Sequence, residues 1–236
     1  MKRRIWELDA FRGLCILCMV LVHLVYDLRE LYHVVDFSYP ALFTFVMTWG
    51  SVLFLLLSGT CVTLGHHPIR RGLIVFGCGM LCSAVTGGMY LLNLQGRDIL
   101  IWFGILHCLG VCMLLWPVFR RLPNWGLLLT AALLLALGYW FRTLRVEAGW
   151  LFPLGLIRRD FASSDYFPLL PNLGWFLLGA LLGRTLYRKQ ETLFPRFPAQ
   201  AAPIRFLSWC GRQSLFIYLL HQPILAGAFE LYFLLK

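Results

Sequence analysis

"LDAFRGLCILCMVLVHLVYDL" (residues 8–28) is long and apolar enough to cross a bilayer, yet it carries Asp9, Arg12, His23 and Asp27. A charged side chain near the centre of a membrane helix costs at least ~2.5–3.5 kcal/mol. At 100° per residue the four groups project within an arc of about 60° on one helix face. Ile16 and Met19 fill that face between them, and the other faces are Leu, Val, Cys and Phe. So narrow a stripe predicts a helix that turns its polar face away from lipid and toward a cavity in the protein. Asp9 and Arg12, three apart, are placed to form an ion pair along the helix. His23 and Asp27, four apart and ~16 Å of helix rise beyond Arg12, form a second pair. A carboxylate there holds one imidazole nitrogen, fixes its tautomer and raises its basicity.

Composition sets the class. Of 236 residues, 60% are hydrophobic and 14% charged, and mean hydropathy is +0.74. A soluble domain of this length carries about a quarter charged residues. The expected fold is all-α: a polytopic transmembrane helical bundle forming one domain over residues 1–236, without repeats or a linker between two cores. The net charge of +10 comes in short runs between apolar segments: Lys2-Arg3-Arg4, Arg70-Arg71, Arg120-Arg121 and Arg188-Lys189. That is the pattern of a cytoplasmic membrane face, and no aromatic-interleaved basic face points to nucleic acid.

A span needs about 20 apolar residues. By that rule the chain holds seven, at roughly 5–28, 41–65, 72–93, 99–118, 125–141, 170–187 and 208–235. With the N-terminus cytoplasmic, the basic loops 66–71, 119–124 and 188–207 face inward, and 29–40, 94–98 and 142–169 face outward. The basic start followed by an apolar stretch imitates a signal peptide, but no small-x-small site follows, so it reads as a retained first helix. The outer segment 142–169 holds Arg142, Arg145, Arg158 and Arg159 with many aromatics, which predicts a structured interfacial loop capping a cavity. Pro223 predicts a kink in the last span just after His221.

The remaining polar and small residues have mostly ordinary readings. Eight cysteines all fall in apolar segments and read as small hydrophobes, Cys15-x-x-Cys18 included. Gly174, Gly179 and Gly183 on the sixth span, and Gly72, Gly77 and Gly79 on the third, read as close helix packing. Thr44, Ser51 and Ser58 recur every seven residues on the second span. His107 and His221 lie on the fourth and seventh. No HxxxH pair or Cys/His cluster marks a metal, and nucleophile elbow, P-loop and dinucleotide fingerprint are absent.

Five motifs in order resemble a known family. "LDAFRGLCILCMVLVH" (8–23), "FLLLSG" (54–59), "GILHCLGV" (104–111), "DYFPLLPNLGWFLLGALLGR" (165–184) and "GRQSLFIYLLHQPI" (211–224) cover nearly the whole chain. They are similar to the small bacterial membrane proteins related to the catalytic domain of heparan-α-glucosaminide N-acetyltransferase. More distantly, they resemble the acyltransferases that O-acetylate surface polysaccharides. The chain departs from the pattern at Asn172, where an aromatic residue is common, and it lacks the extra helices and luminal domain of the lysosomal enzyme. The functional histidine of that enzyme matches His33, whereas the polysaccharide acyltransferases place one at His23. His23, inside the bilayer with Asp27 one turn away, is the favoured base, and His33 is the alternative.

The resemblance implies a multi-pass protein of the bacterial inner (plasma) membrane. Its activity would be transfer of an acyl group, by implication acetyl, from cytoplasmic acyl-CoA to a sugar amine or hydroxyl outside. In that reading His23 is general base, Asp27 orients it, and His107 shares the site or donates to the oxyanion. Arg12, Arg70 and Arg71 are candidates for the phosphates of CoA, with Ser58 on the pantetheine arm. The expected partners are the lipid bilayer, acetyl-CoA as donor and a glycan or amino-sugar acceptor, with no metal and no nucleic acid; a homodimer is compatible with this. The rival reading is a proton-coupled carrier or permease of a small polar solute, because Asp–His relays also mark proton paths.

Overall fold

The structure, a computed structural model, describes residues 4–235, so Lys2 and Arg3 of the first basic run lie outside the described residues. Eight α-helices follow in order: α1 (Trp6–Tyr26), α2 (Ala41–Leu64), α3 (Pro68–Leu91), α4 (Ile105–Phe119), α5 (Asn124–Phe141), α6 (Leu169–Leu186), α7 (Ala202–Arg212) and α8 (Ser214–Leu234). A π turn, Asp27–Leu31, extends α1. Among the described residues there is no strand, only the isolated bridges Phe103–Tyr166 and Arg145–Ile157. The first helix with its π turn, α2, α3, α5, α6 and α8 are long and apolar enough to cross a membrane. With the shorter apolar α4, these match the seven predicted spans.

Two boundaries differ from the sequence expectation. The segment 208–235 is not one span: α7 begins at Ala202, inside the expected loop, and ends where the Gln213 amide donates to the carbonyls of Trp209 and Cys210. Proline in the first turn of α7 gives the helix its start, since the missing N–H has no partner to lose there. An apolar-window count merges two adjoining helices across such a cap. The fourth span also begins later than residue 99, at Ile105, because 99–103 is bonded to the segment 142–169. Leu100 O accepts from Ser164 N, and Phe103 O accepts from Phe167 N. Pro223 leaves α8 running unbroken from Ser214 to Leu234.

The chain divides into two compact units, residues 1–54 with 189–236, and residues 55–188. In the first unit α1 packs against α7 through glycines on both sides. A Cβ on Gly13 would meet Leu207 O at 1.9 Å, and one on Gly211 would meet Asp9 O at 1.8 Å. The segment before α7 is tied to the start of α1. Glu7 accepts from the Leu193 amide and the Thr192 hydroxyl, both at 2.8 Å, and Trp6 stacks on Phe197. At the other end, Tyr32 packs on Phe229 and Phe233 of α8.

In the second unit the expected glycine packing is present. Gly59 and Gly179 bring the second part of α2 against α6, each with its place for a Cβ taken by the other helix's backbone at 1.9 Å. Gly72 faces the Gly110 carbonyl, Gly79 the His107 ring, Gly174 Leu135 and Gly183 Thr60, whereas Gly77 has nothing within 4 Å. Arg184 closes the other end of α6, donating to the Leu122 and Arg120 carbonyls with its guanidinium over Trp116. The segment 142–169 is ordered as predicted, around a 3₁₀ turn at Gly149–Leu154. It borders a cavity of about 190 Å³ lined by residues that include Arg97, Trp102, Phe152 and Phe161. Tyr166 donates from its hydroxyl to Phe152 O at 2.7 Å. Burial pushes that phenol up to about 12, so it stays a protonated donor.

Candidate active site

The first helix orients as its sequence requires. Ile16 and Asp27, both on the polar stripe, are 2% and 5% exposed, whereas Phe11, Leu14 and Leu21 on the opposite face are well exposed. The stripe therefore faces protein, and the apolar side faces outward. Asp9 and Arg12 form the expected ion pair, 3.5 Å apart and largely shielded.

At the far end of the stripe, four polar side chains converge within the first unit. His23 and His221 stand with ring centroids 4.9 Å apart. Gln222, the next residue on α8, places Nε2 at 3.4 Å from His23 Nδ1 and hydrogen-bonds the Asp27 carboxylate. Asp27 and His23 thus do not pair directly, as their spacing suggested; the Gln222 amide stands between them. A π turn starts at Asp27 itself, and such turns commonly sit at functional sites.

Tautomers follow from the partners. The side-chain nitrogen of Gln222 can only donate. The same NH₂ group donates to His23 Nδ1, which leaves the His23 proton on Nε2. His221 is set the other way: its Nδ1 donates to the Tyr218 carbonyl, which can only accept, so its lone pair lies on Nε2. That nitrogen is buried and without a hydrogen-bond partner among the described residues.

His33 and His107 are the other histidine candidates. His33 is exposed, in a left-handed conformation with φ 51°, and donates from Nδ1 to Arg29 O at 3.1 Å. His107, which the sequence offered a share of the chemistry, is 2% exposed in the second unit and has both nitrogens engaged. Nδ1 accepts from the Gly104 amide at 3.1 Å, and Nε2 faces Ser83 Oγ at 3.4 Å. With Asp165, whose carboxylate accepts from the Ile105 amide, it caps the start of α4.

Of the donor-side candidates, Ser58 is buried in α2. Arg70 and Arg71 are exposed in the first turn of α3, with Arg71 Nη1 lying over Gly65. Among the described residues, no three His, Cys, Asp or Glu side chains group as metal ligands. The sequence reading left His221 without a role and passed over Gln222. Both lie in the quoted "YLLHQP", where two polar groups interrupt an apolar span.

A family profile described as heparan-alpha-glucosaminide N-acetyltransferase, catalytic, matches residues 4–223. No curated protein and no solved structure matches the chain.

Proposed function

The chain belongs to the heparan-alpha-glucosaminide N-acetyltransferase catalytic family, and from that premise we propose that it moves an acetyl group from cytoplasmic acetyl-CoA to a sugar amine or hydroxyl on the outer side of a bacterial inner membrane. The family match over 4–223 carries the reaction class. The polar stripe of α1 supports the route, since it spans from Asp9–Arg12 at one end to His23–Asp27 at the other. Acyl transfer from a thioester needs a base for the acceptor's proton and a donor for the developing oxyanion. The two imidazoles His23 and His221 supply one nitrogen of each kind. The first turn of α3 supplies arginines for the phosphates of CoA.

Purified protein given labelled acetyl-CoA and glucosamine is expected to release CoA and form N-acetylglucosamine. A proton-coupled carrier, the reading that the intramembrane histidines also fit, would release no CoA. The donor side has its own test. If Arg70 and Arg71 hold phosphate bidentately, replacing both with lysine weakens CoA binding tenfold or more, in line with losing about 1.5–3 kcal/mol of charged hydrogen bonding. Unchanged affinity by calorimetry would return both arginines to the role of topology signals.

A further inference from the structure

We infer that His221, and not His23, is the general base of this site, with His23 donating its Nε2–H to the acyl oxygen; the inference rests on the acyl-transfer reading above. Three observations carry it. First, the His221 tautomer is settled by an atom that can only accept: Nδ1–H donates to the Tyr218 carbonyl within the same helix, leaving Nε2 with a lone pair. Second, that lone pair is buried and unpartnered among the described residues. A buried polar atom without a partner destabilises the fold, so its persistence calls for a function. Third, His23 lacks a free lone pair, because the Gln222 amide that faces the Asp27 carboxylate also points its N–H at His23 Nδ1. The two ring centroids lie 4.9 Å apart, which puts the two imidazoles side by side in one cluster.

The step balances without a further reagent. As the acceptor amine forms its bond to the acetyl carbon, the amine's proton passes to His221 Nε2. The C–S bond breaks with its electron pair going to sulfur, and the imidazolium of His221 returns the proton to the thiolate. His23 holds the carbonyl oxygen throughout and keeps its own proton. Gln222 is a positioning residue: it sets the His23 tautomer and ties it to Asp27.

The test uses the full chain in detergent with acetyl-CoA and glucosamine. In His221→Asn the side-chain amide retains the donor to Tyr218 O and removes only the basic nitrogen. Acetyl transfer is expected to fall by about 10²–10⁴-fold, while acetyl-CoA affinity and thermal midpoint stay near wild type. Added imidazole is expected to restore turnover to His221→Ala. A His221→Asn protein with the wild-type rate overturns the assignment. So does a His221→Ala protein that loses donor binding along with transfer and is not rescued, since His221 would then be a structural peg. Wild-type protein that releases no CoA overturns the acyl-transfer reading itself, which separates the two failures.

Discussion

Replacing His23 with alanine is expected to lower acetyl transfer by about 10²–10³-fold, the usual loss for one oxyanion donor, with little change in acetyl-CoA affinity. The reason is geometric. The His23 ring is held by the Gln222 amide at Nδ1, with the His221 ring centroid 4.9 Å away, and in the proposed role its removal deletes the donor to the developing oxyanion. His23→Gln is the informative companion, because its amide nitrogen reaches the place of Nε2 and still donates. It should recover part of the activity lost in His23→Ala, whereas a residue needed as base would leave both variants equally inactive. Asp27→Asn should fall between wild type and His23→Ala: without the carboxylate, the Gln222 amide has no reason to keep its NH₂ inward. Full transfer by His23→Ala with an inactive His33→Ala would move the chemistry to the segment after the π turn, where His33 is exposed.

The second large effect concerns the seam between α1 and α7. Gly13→Leu or Gly211→Val is expected to prevent recovery of monodisperse protein, or to lower its thermal midpoint by more than about 10 °C. Overpacking a core costs about 1–3 kcal/mol where side chains can shift. Here the first added carbon meets backbone carbonyls at 1.9 and 1.8 Å, and only separation of the helices relieves it. Since α1 and α8 carry the candidate site, transfer should be lost in the same variants. Gly77→Ala is the control: nothing lies within 4 Å of that Cβ, so stability should stay within about 0.5 kcal/mol of wild type. An unchanged midpoint for Gly13→Leu would show that the seam opens in the membrane.

The parts of this architecture that were legible in the sequence are those carried by local period and local spacing. Four ionisable groups on a 3.6-residue period disclosed which face of α1 turns inward, and a three-residue spacing disclosed the Asp9–Arg12 pair. Apolar windows located the spans, although they fused α7 with α8, since a cap at Gln213 interrupts a helix without interrupting its hydropathy. What stayed hidden depends on partners remote in the chain. Gln222 meets His23 across 199 positions, and Asp165 caps α4 across 60; neither leaves a periodic trace. The partners of His107, the Gly104 amide and the Ser83 hydroxyl, likewise leave no mark in the hydropathy of its span. Gly77 looked equivalent to Gly79 by composition, and only the position of the neighbouring helix separates them.

The 199 residues between His23 and Gln222 also impose an order on biosynthesis. At about 5–20 residues per second, α8 emerges from the ribosome roughly 10–40 s after α1. Through that interval the inward face of α1 has neither the α7 glycine seam nor the α8 amide and imidazole beside it. Of the polar contacts described for the stripe, the Asp9–Arg12 pair is the one α1 makes within its own helix. That pair lets the first segment enter the bilayer with Asp9 and Arg12 already matched. The cluster of His23, His221 and Gln222 therefore comes into being only when α8 arrives.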